Sequence, residues 1–167
     1  PRSLQELVTA DDDLKVIIQD PRTSTPGLGL MLWMKSIYGD QAVSAWTQLS
    51  DNILATTKGW NEAYFSLFMA GEAPMVLSYS TSPAYHMAVE GNQKYQAAAF
   101  DEGHYLQVEV AARLKDSPNP DLANQFLAFM ISPQFQRSVP LTNVMYPVID
   151  LGEALPAEFD QLIKPTK

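Results

Sequence analysis

Apolar and polar positions along this chain fall into short blocks that switch between helical and strand periods. Ser3 to Ala10 predicts a short helix, with Ser3 as its cap and Glu6 three residues on. Leu14 to Gln19 (LKVIIQ) is a β-branched run of strand length, halted by Asp20-Pro21. Leu28 to Ile37 predicts a buried helix ending before Gly39-Asp40, and Gln41 to Leu49 predicts another. Ile53 to Thr57 reads as a short strand, Glu62 to Met69 as a helix and Met75 to Tyr79 as a strand. Ala84 to Glu90 predicts a further helix. Tyr95 to Phe100 and Tyr105 to Ala112 are two more strand candidates, the second with clear period-2 alternation. Beyond the breaker cluster Asp116 to Pro120, Asp121 is expected to cap an amphipathic helix carrying Leu122, Phe126, Leu127, Phe129 and Met130. Ser132-Pro133 starts a shorter helix, and the proline-bearing remainder holds one more helical turn near Glu158 to Ile163.

Strands alternating with helices predict an α/β fold, a mixed sheet flanked by helices. Within that frame one pattern occurs twice: a strand runs into a hydroxyl-rich loop and then a helix. The first is LKVIIQ-DPR-TST-PG and the second MVLSY-STSP-AYH. In open α/β sheets ligands bind outside the carboxyl ends of strands, where helix N-termini point N–H groups at them. Thr23, Ser24 and Thr25 supply hydroxyls at the first such end, and Ser80, Thr81 and Ser82 at the second. Ser and Thr before a helix also serve as ordinary caps, so either loop alone has a purely structural reading. Trp60, Tyr79 and Tyr85 lie around these loops in polar settings, where rings offer flat faces with a polar handle, or simply cover a core edge. Trp33 and Trp46, inside apolar helices, are assigned to the core.

Length and charge narrow the classes. The 167 residues suffice for one domain, or for one lobe plus part of a second. The formal net charge of −8, without a Lys/Arg stripe, argues against a nucleic-acid surface and mildly favours cationic ligands. With no cysteine there is neither a disulfide nor a thiolate metal site. His86 and His104 are too far apart for a short metal motif. The longest apolar run, Leu28 to Met34, is too short to span a bilayer, so no stable membrane insertion is expected. The chain lacks an initiator Met and opens abruptly, as a processed product or fragment would.

For catalysis the sequence offers little. It has no G-x-S-x-G elbow, H-E-x-x-H or Walker A loop, and Gly27-Leu28-Gly29 lacks the third glycine of a dinucleotide fingerprint. Asp101, Glu102 and His104 cluster on one loop and read as a solvated turn before they read as a metal or proton-transfer site. Glu109 reads as a half-exposed strand residue. No catalytic residue, metal or cofactor is assigned.

Taken together, QDPRTSTPGLG, TKGW-NEAY, LSYSTSPAYH and EGHYLQVEVAAR resemble the thiamine-binding periplasmic proteins of bacterial ABC importers. The resemblance runs from SLQELV to MYPV and beyond. It implies a type II periplasmic binding fold, with one lobe and part of the second represented here. Residues 1–112 would form the ligand-binding α/β lobe, and 113–167 a helical and extended segment packing on it or on the absent lobe. It implies a protein that binds thiamine or its phosphates in the periplasm and passes them to a membrane permease, with no bond made or broken. Carried over by position, Ser24, Thr25, Trp60, Tyr79, Ser80, Thr81, Ser82 and Tyr85 match ligand-contacting positions. Where the family pattern has Trp before MYP, this chain has Val144, which removes one stacking face. Two alternatives stand beside this reading. One is a ferric or other small-ion binder of the same fold, with Tyr79 and Tyr85 as phenolate ligands. The other is an α/β enzyme using the hydroxyl loops for phosphate.

Overall fold

A computed structural model describes residues 1–164. The chain divides into two compact units. The first comprises Pro1–Tyr79, Ala98–Gln107 and the two described tail residues, Ile163 and Lys164; the second comprises Ser80–Ala97 and Val108–Leu162.

In the first unit, helix α1 (Leu4–Val8) opens on Ser3, whose hydroxyl accepts from the Glu6 N–H at 3.0 Å. The reciprocal arm of the expected capping box is shifted: the Glu6 carboxylate accepts from the Arg2 N–H instead. Strand β1 (Val16–Gln19) is buried along its whole length, as a central strand covered on both faces must be. Helix α2 (Thr25–Tyr38) begins three residues before the predicted start, because Pro26 is preorganised for a first turn. A 3₁₀ turn, Gly39–Gln41, leads into α3 (Ala42–Leu49), and a second turn, Ser50–Asn52, leads into strand β2 (Ile53–Thr57). Strand β3 is short, Met75–Val76.

The three strands form a parallel sheet in the order β2-β1-β3. Val16 faces Ile53 and Gln19 faces Thr57, with an irregularity after Val16; Ile17 pairs Val76 on the other side. Alternate β1 side chains serve opposite faces. Val16 and Ile18 join Leu4, Leu7, Leu30, Met34 and Leu49 beneath the helices, with Trp33 and Trp46 packed against them. Ile17 joins Ala63 and Ala73 on the other face. Fully buried Leu4, Met34 and Leu49 each contribute about 1.5–3 kcal/mol.

That second face is covered by an element the periodicity did not foretell. Glu62–Phe68, expected as an α-helix, is a π-helix, with the Met69 N–H reaching back to the Tyr64 carbonyl. Such widened turns are rare and frequent at functional sites.

The second unit contains α4 (Ser82–Glu90), α5 (Pro120–Met130), α6 (Pro133–Gln136), α7 (Val139–Thr142) and α8 (Ala157–Asp160). Its core is Ala84, Phe159 and Leu162, with Met87, Val144 and Leu155 against them. Ser132 caps α6 through the Phe135 N–H, as the sequence suggests. Helix α5 starts before Asp121, because Pro120 takes the first turn and Asn119 the cap position. The amphipathic pattern of α5 is real, yet none of its residues is buried: Leu122, Phe126 and Phe129 are all exposed. The strand candidates Tyr95–Phe100 and Tyr105–Ala112 are not strands. A strand exists only against a neighbour that pairs its N–H and C=O groups, and these segments have none among the described residues.

Candidate functional site

Because β1, β2 and β3 are parallel neighbours, their carboxyl ends lie on one edge of the sheet. This brings the TST loop after β1, the KGW loop after β2 and the Ser78–Tyr79 segment after β3 to a common edge. The first loop is fixed from within. The Asp20 carbonyl accepts from the Thr23 and Ser24 N–H groups at 3.1 and 3.0 Å. The Asp20 carboxylate takes three bonds from the Arg22 guanidinium, two of them shared by Nε, and one from the Arg22 N–H, at 2.6–3.1 Å. Those bonds, the side-chain ones first, hold the Asp20 carboxyl down to about 2.

Between the loops, the Thr23 hydroxyl donates to the Lys58 carbonyl at 2.6 Å, and the Asp20 N–H to the Thr57 carbonyl at 2.9 Å. The Thr57 hydroxyl donates onward to the Gly59 carbonyl at 2.8 Å, fixing the turn into Trp60. The N-terminus of α2 is pressed close to β1. A Cβ placed on Gly27 would lie 2.4 Å from the Gln19 carbonyl oxygen, so only glycine permits this approach.

Four of the sequence-assigned positions belong to this edge. Ser24 is the cap residue of α2, but its side chain makes no capping bond, and its hydroxyl oxygen is buried without a hydrogen-bond partner among the described residues. Thr25, the first residue of α2, is exposed. The Trp60 indole N–H donates to the Ser78 hydroxyl at 2.8 Å, and its ring lies 6.3 Å from that of Tyr79, centroid to centroid. Sequence reasoning missed the rest of the aromatic group. Tyr64 stacks on Trp60 at 4.8 Å, and Phe65 meets it edge-on at 5.3 Å. The π-helix sets these two rings beside Trp60; NEAYF carries the aromatics, but no spacing rule announces that geometry.

In the second unit, Ser80, Thr81 and Ser82 lead into α4. Thr81 is buried, and its hydroxyl contacts the Met145 sulfur at 3.9 Å. Tyr85 sits edge-on to the His86 ring. His86, fully buried, meets the Glu90 carboxylate through Nδ1 at 2.8 Å and packs against Tyr95 at 4.1 Å. Val144 adopts φ 53°, a left-handed conformation rare for a β-branched residue, while packing on the core of this unit.

The Asp101–His104 loop is structural. The Asp101 N–H donates to the Arg2 carbonyl, and the Glu102 carboxylate accepts from the Leu4 N–H at the start of α1. His104 stacks on Trp33 and accepts from the Phe100 N–H through Nε2 at 3.2 Å. Burial holds the His104 imidazole below its ordinary range. Among the described residues no group of three His, Asp or Glu is placed to hold a metal ion.

A parallel α/β sheet with hydroxyls and stacked aromatics along its carboxyl edge is an arrangement suited to holding a small solute. The family of bacterial extracellular solute-binding proteins matches residues 1–139, and the chain belongs to it. More particularly, it is similar to thiamine-binding periplasmic proteins: 58% identical over 165 residues to that of Salmonella typhimurium, covering 99% of this chain and 50% of that protein. The Haemophilus influenzae protein is 48% identical, with 97% of this chain and 48% of that protein covered. A solved structure of a periplasmic thiamin binding protein superposes with a TM-score of 0.95 at 56% identity, covering all of this chain and 52% of that one. The chain thus spans about half the length of the curated relatives it matches.

Proposed function

We propose that this chain carries part of a periplasmic thiamine-binding site, with thiamine or its phosphates as ligand and an ABC permease as recipient. The observation that carries the reading is the aromatic group Trp60–Tyr64–Tyr79 beside the Ser24 end of α2. Thiamine joins a cationic thiazolium to an aminopyrimidine. Indole and phenol faces attract such a cation by about 0.5–2 kcal/mol per well-placed ring. Hydroxyls and backbone groups suit the pyrimidine edge, and the N-terminus of a 14-residue helix suits a phosphate. The names of the relatives support the same ligand.

Ser24, Thr25, Trp60 and Tyr79 are the proposed contacts of the first unit, inside the 1–112 lobe. Ser80, Thr81, Ser82 and Tyr85 are further candidates carried over from the resemblance. Binding and release without chemistry is the proposed activity, in keeping with relatives that are solute-binding proteins. Calorimetric titration with thiamine, thiamine monophosphate and, as control, the uncharged pyrimidine alone tests it. Heat of binding for thiamine, weaker for the pyrimidine, is expected; no saturable heat with either thiamine compound overturns the reading.

A further inference from the structure

Gln19, the last residue of β1, is almost fully buried, at 1% exposure, and no part of the ligand reading uses it. Alternation along β1 puts its side chain on the face of Ile17, the face covered by the π-helix. Its Nε2 donates to the Leu77 carbonyl at 3.0 Å. The Leu77 N–H already donates to the Ile17 carbonyl at 2.8 Å, so the Gln19 amide extends the joint between β1 and the chain leaving β3 by one more rung. The next two residues are Ser78, which accepts from the Trp60 indole, and Tyr79, whose ring faces Trp60.

We propose that Gln19 is a positioning residue of this site: its amide N–H fixes Leu77, and through Leu77 sets where Ser78 and Tyr79 stand relative to Trp60. The choice of side chain fits that role. A charged group of equal reach would be desolvated there, and a leucine would fill the space but leave the Leu77 carbonyl short of a donor. The other end of the amide points the same way. Oε1 is buried with no hydrogen-bond partner among the described residues, a cost that leucine would avoid. What the amide contributes is therefore its donor.

The affinity half of the test rests on the thiamine reading; the spectroscopic half does not. Indole N–H signals of the whole 167-residue chain, assigned by Trp→Phe substitution, report Trp60 separately from Trp33 and Trp46, which pack on the opposite face of the sheet. In Gln19→Leu the Trp60 signal is expected to shift while the other two stay, and thiamine affinity to fall about tenfold. Gln19→Glu lacks the donor only when its carboxyl is ionised, and because burial raises that pKa the departure from wild type should show at the alkaline end of a titration carried to about pH 9. As the introduced carboxyl protonates on acidification it regains an O–H donor, and the Trp60 signal should return toward its wild-type position. A Trp60 signal unmoved in both variants overturns the proposal. So do three indole signals moving together, a Gln19→Glu response to pH no different from wild type, or unchanged affinity in Gln19→Leu when the wild type binds. A wild type that takes up no thiamine refutes the proposed function instead, and leaves the Trp60 signal to decide on Gln19.

Discussion

The Thr23 hydroxyl and the Lys58 carbonyl, 2.6 Å apart, tie the loop leaving β1 to the loop leaving β2. With the Asp20–Thr57 backbone bond beside it, this contact holds Ser24 and Trp60 on one frame before any ligand arrives. Such preorganisation reduces the ordering cost of binding. Thr23→Val keeps the shape and removes the donor. It is expected to lower stability by about 0.5–1.5 kcal/mol and to weaken thiamine binding several-fold, read by thermal melting and calorimetry on the same sample.

Trp60→Ala and Tyr79→Ala should each weaken thiamine binding by about 1–3 kcal/mol, combining lost area with lost cation–π attraction. Trp60→Ala also strips a stacking partner from Tyr64 and a donor from Ser78, so its melting midpoint should fall as well. Trp60→Phe keeps a face and should cost less on both counts. Unchanged dissociation constants for both alanine variants, whatever their midpoints, would show that these rings only cover the edge of the core.

Gly27→Ala adds a single methyl where 2.4 Å separates it from a backbone oxygen. Neither the Gln19 carbonyl nor the start of α2 is a flexible side chain, so one must move. Overpacking of this kind costs about 1–3 kcal/mol. Because Ser24 lies in the same turn, a displaced α2 should carry the loss into ligand affinity. Gly29→Ala, inside α2 with a Tyr105 ring atom at an ordinary 3.7 Å as its nearest neighbour, is the matched control and should be neutral to stabilising, by up to about 1 kcal/mol.

His104 predicts a pH dependence with a definite sign. Burial lowers its pKa from the 6.5 of the free side chain, and its Nε2 accepts a hydrogen bond only while unprotonated. The unfolded chain therefore binds the proton more readily than the fold does. Stability should decline as pH falls through 6.5 and keep declining down to the lowered folded value. His104→Gln supplies a carbonyl acceptor that does not titrate. Melting midpoints between pH 7.5 and 5.5 should fall less steeply in that variant; parallel slopes would mean that His104 does not carry the effect.

The type II binding fold implied by the resemblance takes its ligand between two lobes, and this chain spans about half of its relatives' length. Titrated beside the Salmonella typhimurium protein, it should bind thiamine about two orders of magnitude more weakly, because burial and opposing contacts are both reduced. Equal affinities would place the whole site within these residues.

Much of this was legible in the sequence where a local rule decides the outcome. The β-branched run before Asp20-Pro21 became β1, and the Ser3 and Ser132 caps formed as their positions require. Two features were not legible, for different reasons. Seven residues are too few to separate a π-helical from an α-helical period, so the segment that carries Tyr64 was expected as an ordinary helix. The alternation in Tyr105–Ala112 is a property of the segment, whereas strand formation is a property of a pair, and no local pattern supplies the second member. Gln19 escaped notice for a related reason. Its role depends on Leu77, far away in sequence and adjacent only once β1 and β3 pair.

Helix α5 has a consequence for how this chain behaves over time. An isolated helix of 11 residues is too short to persist in water on its own, and this one buries none of them. Its amides should lose protection against hydrogen exchange well before those of β1, opening as a local unit while the sheet stays closed. Each such opening frees a segment bearing Leu122, Phe126 and Phe129 at helical spacing, apolar side chains that are already exposed here.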